Sequence, residues 1–260
     1  MESKPATTVS RRFNHGPAPA DTPLYKHVKD QIIEALRTGE WRPGDILPSE
    51  SRLAERYDVG ISTIRAAVSE LVAAGVLVRR QGKGTFVAIH GDQQNLFRFF
   101  HVVRNDGTRI LPVSTLLSFS KSTADEQTAE ILALPRSRQK AGVYRISNML
   151  KVDGTPVIVS EMVVPVEMFP GLTKAQLQEG STLYAVYQRH FGITITRSSE
   201  RLASAGADAF AAEHFGLELG APILDVHRVA YTFGDKPVEV RHSRIDTRNY
   251  HYRLDEGDQV

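Results

Sequence analysis

The sequence predicts an α+β protein built in two parts, and three observations carry that prediction. Between Leu24 and Gly75, apolar residues recur at helical spacing in three short blocks separated by turn residues. A glycine-containing loop, Gln81-Gly82-Lys83-Gly84, then joins two short β-branched runs. Beyond residue 110, strand-like runs bracket the turn signals Asp153-Gly154 and Gly234-Asp235, with helix-like segments interleaved.

With 260 residues, 41% of them hydrophobic and 24% charged, the chain has the composition of a globular protein with room for two modest domains. It has no cysteine, which excludes a disulfide scaffold, a thiolate metal site and a Cys nucleophile together. No run reaches the roughly 18 apolar residues of a membrane span. Arg11-Arg12 is followed by Phe13-Asn14-His15-Gly16-Pro17, where an export signal needs an apolar segment. A soluble, cytoplasmic protein without a membrane partner is expected. Residues 1–91 carry 13 basic against 10 acidic residues and the remainder 19 against 20, so a nucleic-acid partner is weakly favoured for the first third.

Taken in order, residues 1–21 are rich in Pro, Ala, Thr and Ser and read as a disordered tail. Leu24, Val28, Ile32, Ile33 and Leu36 define a first helix that Gly39 stops. After the turn-rich Trp41–Asp45, Ser49 stands as the N-cap of a short second helix, with Glu50 at the positive end of its dipole. Asp58-Val59-Gly60 breaks the chain before a third helix whose apolar side is Ile64, Val68, Leu71 and Val72, closed by Gly75. Val76–Val78 and Thr85–Val87 form a hairpin. Three helices and a two-stranded wing in this order make a winged helix-turn-helix over residues 22–90. Ser62, Thr63, Arg65 and Ser69 lie opposite the apolar stripe of the third helix, as short donors plus one Arg suited to phosphates and a base edge. Gly82 and Gly84 allow a backbone to enter a narrow groove, with Arg79, Arg80 and Lys83 supplying charge beside it.

LPSESRLAERYDVGISTIRAAVSELVAAGVLVRRQGKGTFV, within residues 23–88, resembles the DNA-binding domain of GntR-type bacterial transcriptional regulators. The resemblance implies double-stranded operator DNA as partner and Arg52, Ser62, Thr63, Arg65, Gly82, Lys83 and Gly84 as DNA-binding residues. Two departures bear on the operator sequence. Gly60-Ile61 stands where the family commonly has Ser-Arg, and Ser51 where it has Arg, with Arg52 displaced by one residue, about 100° around a helix.

The second part, 91–255, reads as a mixed, mainly antiparallel α+β domain. Leu96–Phe100 is expected as its first strand and Asp125–Leu134 as a helix. Val143–Val152 and Thr155–Val164 pair around Asp153-Gly154. Further helices follow Ser181 and cover 207–215, before a last hairpin at Gly234-Asp235. VDGTPVIVSEMVVPVEMFPGL, EGSTLYAVYQRHFG, AEHFGLELGAPILDVHRVAY and GDKPVEV resemble the UTRA effector-binding domain of the HutC-type branch, similar in fold to chorismate lyase. This implies a small-molecule pocket and a homodimer formed partly through this half. Carried over from the resemblance, Asn148 and Ser160 stand where sugar-responsive relatives tend to have Arg and Glu, which counts against an amino-sugar effector. Ser181 and Thr182 precede an apolar helix and would cap it or leave N–H groups for an anion. Glu239, Arg241 and Ser243 share one strand face, either in the pocket or as a solvated edge.

The chain has no GxSxG, HExxH or GxxxxGK[ST] pattern, and its nine histidines show no metal-ligand spacing. His242 and His251 are expected at the surface or core edge. No catalytic residue, cofactor or metal is expected; the lyase-like shape does not import catalysis. The expected function is a DNA-binding repressor on a pseudo-palindromic operator, modulated by a small anionic metabolite. The alternative is an enzyme of that shape with an accessory DNA-binding domain.

Overall fold

The computed structural model describes residues 23–91, 97–134, 142–180 and 182–254. The expected tail over 1–21 and Ser181 lie outside the described residues. The chain starts with α1 (Leu24–Arg37), α2 (Glu50–Tyr57) and α3 (Ile61–Ala73), then a hairpin of β1 (Leu77–Arg80) and β2 (Gly84–Val87). Val28, Ile32, Leu53, Ile64, Val68 and Leu71 meet in one core, so the three periodic stripes converge as their spacing requires. Ser49 caps α2, its hydroxyl accepting from the Arg52 N–H, and Asp58 closes that helix at φ 52°. The wing has a third edge that the sequence pattern does not display. Ile46 lies opposite Phe86, the Leu47 N–H donates to the Thr85 carbonyl at 2.8 Å, and the Val87 N–H donates to that of Asp45 at 2.9 Å.

The strand expected over Leu96–Phe100 is not formed. Phe97–Phe99 is a 3-10 turn, and Leu96 lies outside the described residues. Side-chain bonds hold the segment instead of a neighbouring strand: the Phe99 carbonyl accepts from Arg228 at 2.9 Å, and the Arg98 side chain donates to the Thr196 carbonyl. Consecutive aromatic residues also lack the alternation of a half-buried strand. The first strand of this half is β3 (Val102–Arg104), paired with the last, β10 (Tyr250–Tyr252).

The second half is organised by six antiparallel strands, β4 (Val113–Ser122), β5 (Val143–Val152), β6 (Thr155–Pro165), β7 (Arg197–Gly206), β8 (Pro222–Thr232) and β9 (Lys236–Ile245), in the order β4-β5-β6-β9-β8-β7. The β5–β6 turn has φ 50° at Asp153 and 80° at Gly154, the left-handed pair that a two-residue hairpin requires. The helices are α4 (Glu126–Ile131), α5 (Lys174–Leu177), α6 (Leu183–Phe191) and α7 (Ala209–Phe215). The helix expected over 125–134 stops early, with Ala133 at φ 50°. On one sheet face, Tyr144, Ile146, Met162, Val164, Ala230 and Val238 pack against Tyr184 and Tyr187 of α6. On the other, α7 covers Val159 and Ile223, while Leu132 beyond α4 meets Val143 and Val163.

Candidate DNA interface and effector cavity

The wing and α2 border an open groove of about 500 Å³ lined by Ser49, Glu50, Arg79, Arg80, Lys83 and Gly84, among others. Arg65 leaves α3 with two thirds of its side chain exposed, and its Nε donates to Glu50 at 2.6 Å. Arg79 donates to Ser69 at 3.1 Å and stands 3.9 Å from the same carboxylate. Glu50 therefore holds two guanidinium groups at the groove edge. Arg52 and Ser62 are exposed, and Thr63 is half-buried near the start of α3.

The wing glycines separate into two roles. Gly82 is exposed at the tip at φ 68°, and a Cβ there meets no atom within 4 Å. Its left-handed backbone and bare surface leave the tip thin, with Lys83 exposed beside it. Gly84 has φ 115°, and a Cβ there lies 3.1 Å from the Ile46 Cδ1. Gly84 is thus fixed by the wing's own backbone and its packing on Ile46, and it also borders the groove.

The second site lies on the α6-facing side of the sheet. A cavity of about 40 Å³ is enclosed by Ser160, Arg228, Arg241 and Ser243 from three adjacent strands, with Phe99–Val102 and Tyr252 over them. Cross-strand register produces this cluster: Ser160 is opposite Ser243, Met162 opposite Arg241, and Arg241 opposite Arg228. The Ser160 and Ser243 hydroxyls are hydrogen-bonded at 2.8 Å. Arg241 donates twice to Glu239, at 2.8 and 3.1 Å, and its guanidinium lies 5.3 Å from the Tyr184 ring centre. Glu239 is fully buried and also accepts from Tyr187 at 2.7 Å and Tyr184 at 3.3 Å. Burial, with Glu239 adding, pushes both phenol pKa values upward, so these hydroxyls stay protonated donors. Arg228 donates to Glu200, which accepts from Tyr252 as well.

Strand β9 is central, between β6 and β8, so Glu239, Arg241 and Ser243 do not form a solvated edge. Arg241 and Ser243 line the cavity with Ser160, whereas Glu239 orients Arg241 from beneath. Asn148 is buried opposite Ser160; it donates to Ser114 at 3.2 Å, and its Oδ1 is buried with no hydrogen-bond partner among the described residues. Thr182 does not join the cluster. Its hydroxyl accepts from the Ala185 N–H at 3.2 Å as the α6 cap, and it does not line the cavity. The sequence reading missed Arg228, Tyr184, Tyr187 and Glu200. For Arg228 a signal existed: an Arg at an inward position of the alternating run Leu224, Val226, Arg228, Ala230.

Residues 24–87 match the family model described as bacterial regulatory proteins, gntR family, and residues 109–251 match the UTRA domain. A helix-turn-helix-type transcriptional regulator from Mycobacterium tuberculosis is 32% identical over 236 residues, covering 88% of this chain and 82% of the relative. The transcriptional repressor NagR from Bacillus subtilis is 28% identical over 212 residues, covering 80% and 84%. Among solved structures, the ligand-binding domain of a chain assigned to the same family, from Bordetella bronchiseptica, superposes with TM-score 0.56 at 29% identity, covering 60% of this chain and 96% of that one. PhnF from Mycobacterium smegmatis superposes with TM-score 0.50 at 27% identity, covering 87% and 97%. No helix among the described residues is long and apolar enough to cross a membrane. A helical core with a charged wing, followed by a sheet that encloses a polar cavity, thus has its counterpart in DNA-binding repressors modulated by a metabolite: the chain belongs to the GntR family of bacterial transcriptional regulators, in its HutC-type branch with a UTRA domain.

Proposed function

We propose that this chain works as a homodimeric repressor in which residues 22–90 grip a pseudo-palindromic operator and residues 91–255 bind a small hydroxylated anion that releases it. The observation that carries the ligand class is the pair of guanidinium groups, buried Arg228 and largely buried Arg241, opening on one cavity beside two serine hydroxyls. Burial opposes their charge, but Tyr184 and Glu200 around Arg228, and Glu239 and Tyr184 around Arg241, more than offset it and hold both pKa values above the ordinary Arg value. They remain fixed cations with spare N–H donors, suited to a carboxylate or phosphate. Each is matched by a carboxylate, so the ligand also needs neutral groups, hydroxyls for Ser160 and Ser243; Asn148 does not line the cavity. Arg52, Ser62, Thr63, Arg65, Gly82 and Lys83 serve the DNA side, with Gly84 shaping the wing.

The cavity of about 40 Å³ has room for only a few water-sized molecules and is far below the roughly 300 Å³ of a metabolite pocket. Ligand entry therefore requires the segment Phe99–Val102 or Tyr252 to move. The test is operator binding by fluorescence anisotropy, titrated with sugar phosphates, hydroxy acids and their neutral counterparts, for wild type and Arg241→Ala. Release by an anion, lost in Arg241→Ala with basal DNA affinity kept, is expected. Release by a neutral compound, or an unchanged response in the variant, overturns the reading.

A further inference from the structure

On the sheet face opposite the cavity, Asp225, His227 and His242 form a cluster that the regulatory reading leaves unused. Asp225 and His227 are two residues apart on β8 and project to the same side, and His242 on β9 is directly opposite His227. The imidazoles are stacked at 4.2 Å between centroids and 14° between planes. Each turns its Nε2 to a different oxygen of one carboxylate, His227 at 3.0 Å from Oδ1 and His242 at 2.5 Å from Oδ2. One ligand atom from each residue can be chosen so that all three lie within 4.8 Å of one another. The cluster lies on the same face as α4 and α7, and all three residues keep partial solvent access. No linear motif encodes it, because His227 and His242 meet only through strand register.

We propose that Asp225, His227 and His242 bind a divalent transition-metal ion, of the zinc, nickel, cobalt or copper type, and so cross-link β8 to β9. Two imidazoles and one carboxylate form the three-ligand set that suits these borderline ions, and solvent supplies the remaining positions. Metal–ligand distances of about 2.0–2.2 Å require the three donor atoms to close in. Rotation of partly exposed side chains provides that movement. Each imidazole coordinates through the Nε2 lone pair, with a proton on Nδ1. The surrounding charges tolerate a cation. Arg244, opposite Asp225, is held by Glu161 and Asp208, while Arg201 is opposite His227. Together with Asp225 these groups carry one net negative charge.

The site sits directly behind the cavity. His227 precedes Arg228 in the chain and His242 follows Arg241, so a bound ion fixes the two strands that present those guanidinium groups. The test uses the full-length, metal-stripped protein. Cobalt binding is followed by visible absorption, and zinc binding by calorimetry and thermal unfolding. One equivalent per chain, cobalt bands of a nitrogen–oxygen site and a raised unfolding temperature are expected. At least tenfold weaker binding is expected in His242→Gln and in His227→Gln. Circular dichroism and unchanged metal-free operator affinity verify that the variants are folded. The absence of saturable binding, or stoichiometric binding that survives in the His227→Gln/His242→Gln double variant, overturns the proposal.

Discussion

Removing Glu239 is the most informative single perturbation of this fold. The carboxylate is fully buried, accepts two bonds from Arg241 and one from each of Tyr184 and Tyr187, and stands on a central strand. Glu239→Ala leaves a guanidinium with 13% of its side chain exposed and no counter-charge from that position. Breaking a buried pair from one side costs about 3–5 kcal/mol. The fully buried Tyr187 also loses its acceptor, an effect of about 1–3 kcal/mol that overlaps with the first. At about 2–4 °C per kcal/mol, the melting temperature should fall by at least 6 °C and by as much as roughly 20 °C. Calorimetry on wild type and variant measures this directly. The double variant Glu239→Leu/Arg241→Met removes both charges and should recover most of the loss, because an apolar replacement avoids desolvating either ion. A loss under about 1 kcal/mol, or a double variant as unstable as Glu239→Ala, refutes the view of Glu239 as a dry counter-ion.

Three further outcomes are expected. Gly82→Asn places a side chain on the wing tip while tolerating φ 68°, so thermal stability should change little and operator affinity should fall at matched salt; equal affinities would take the tip off the DNA. Arg65→Ala should cost about 1–3 kcal/mol of operator binding with the fold intact, read by anisotropy against specific and scrambled DNA, and an unchanged affinity would remove Arg65 from the interface. His90 is buried, and desolvation, with Arg98 adding, lowers its pKa to about 3 from an unfolded value near 6.5. Because the unfolded chain takes up the proton first, stability present above pH 6.5 is lost as pH falls from about 6.5 towards 3. That loss is about 2 kcal/mol by pH 5, so urea midpoints of wild type should fall more steeply with acidification than those of His90→Gln; parallel slopes would contradict a neutral buried His90.

What could be read from the sequence was local. Ser49 as a cap, Asp153-Gly154 as a two-residue turn and the apolar side of α3 depend on residues within a turn or two of one another, and all three are present. Contacts set by strand register were not legible. Ile46 pairing with Phe86, Arg228 joining Arg241 and His227 meeting His242 each require knowing which strands are neighbours. Phe97–Phe99 shows the opposite failure. A run of aromatics satisfies composition rules for a strand, yet bonds to Arg228 and to the Thr196 carbonyl, each more than 90 residues away, hold it as a turn. Thr182 was legible as a cap, but whether a helix start faces a cavity depends on packing alone.

Side-chain contacts join the cavity to the wing through a short stretch of chain. Phe99 lines the cavity, meets Tyr184 edge-on at 5.1 Å, and lies 6.0 Å from the His90 ring. His90 accepts from the Ile195 N–H at 2.9 Å, and Gln188 of α6 accepts from the His90 N–H and donates to the Ala88 carbonyl. The Ala88 N–H in turn donates to Val76, just before β1, and Val87 ends β2. With the cavity closed, residues 88–90 are therefore fixed to α6 by hydrogen bonds and to the wing by the backbone. A ligand shifts operator affinity only through contacts that differ between its two states. Displacing Phe99 changes such a set, since it withdraws an aromatic neighbour from His90 while leaving the helix-turn-helix core untouched. The steeper acid response expected of wild type over His90→Gln reports the burial of His90 at this junction before any ligand arrives.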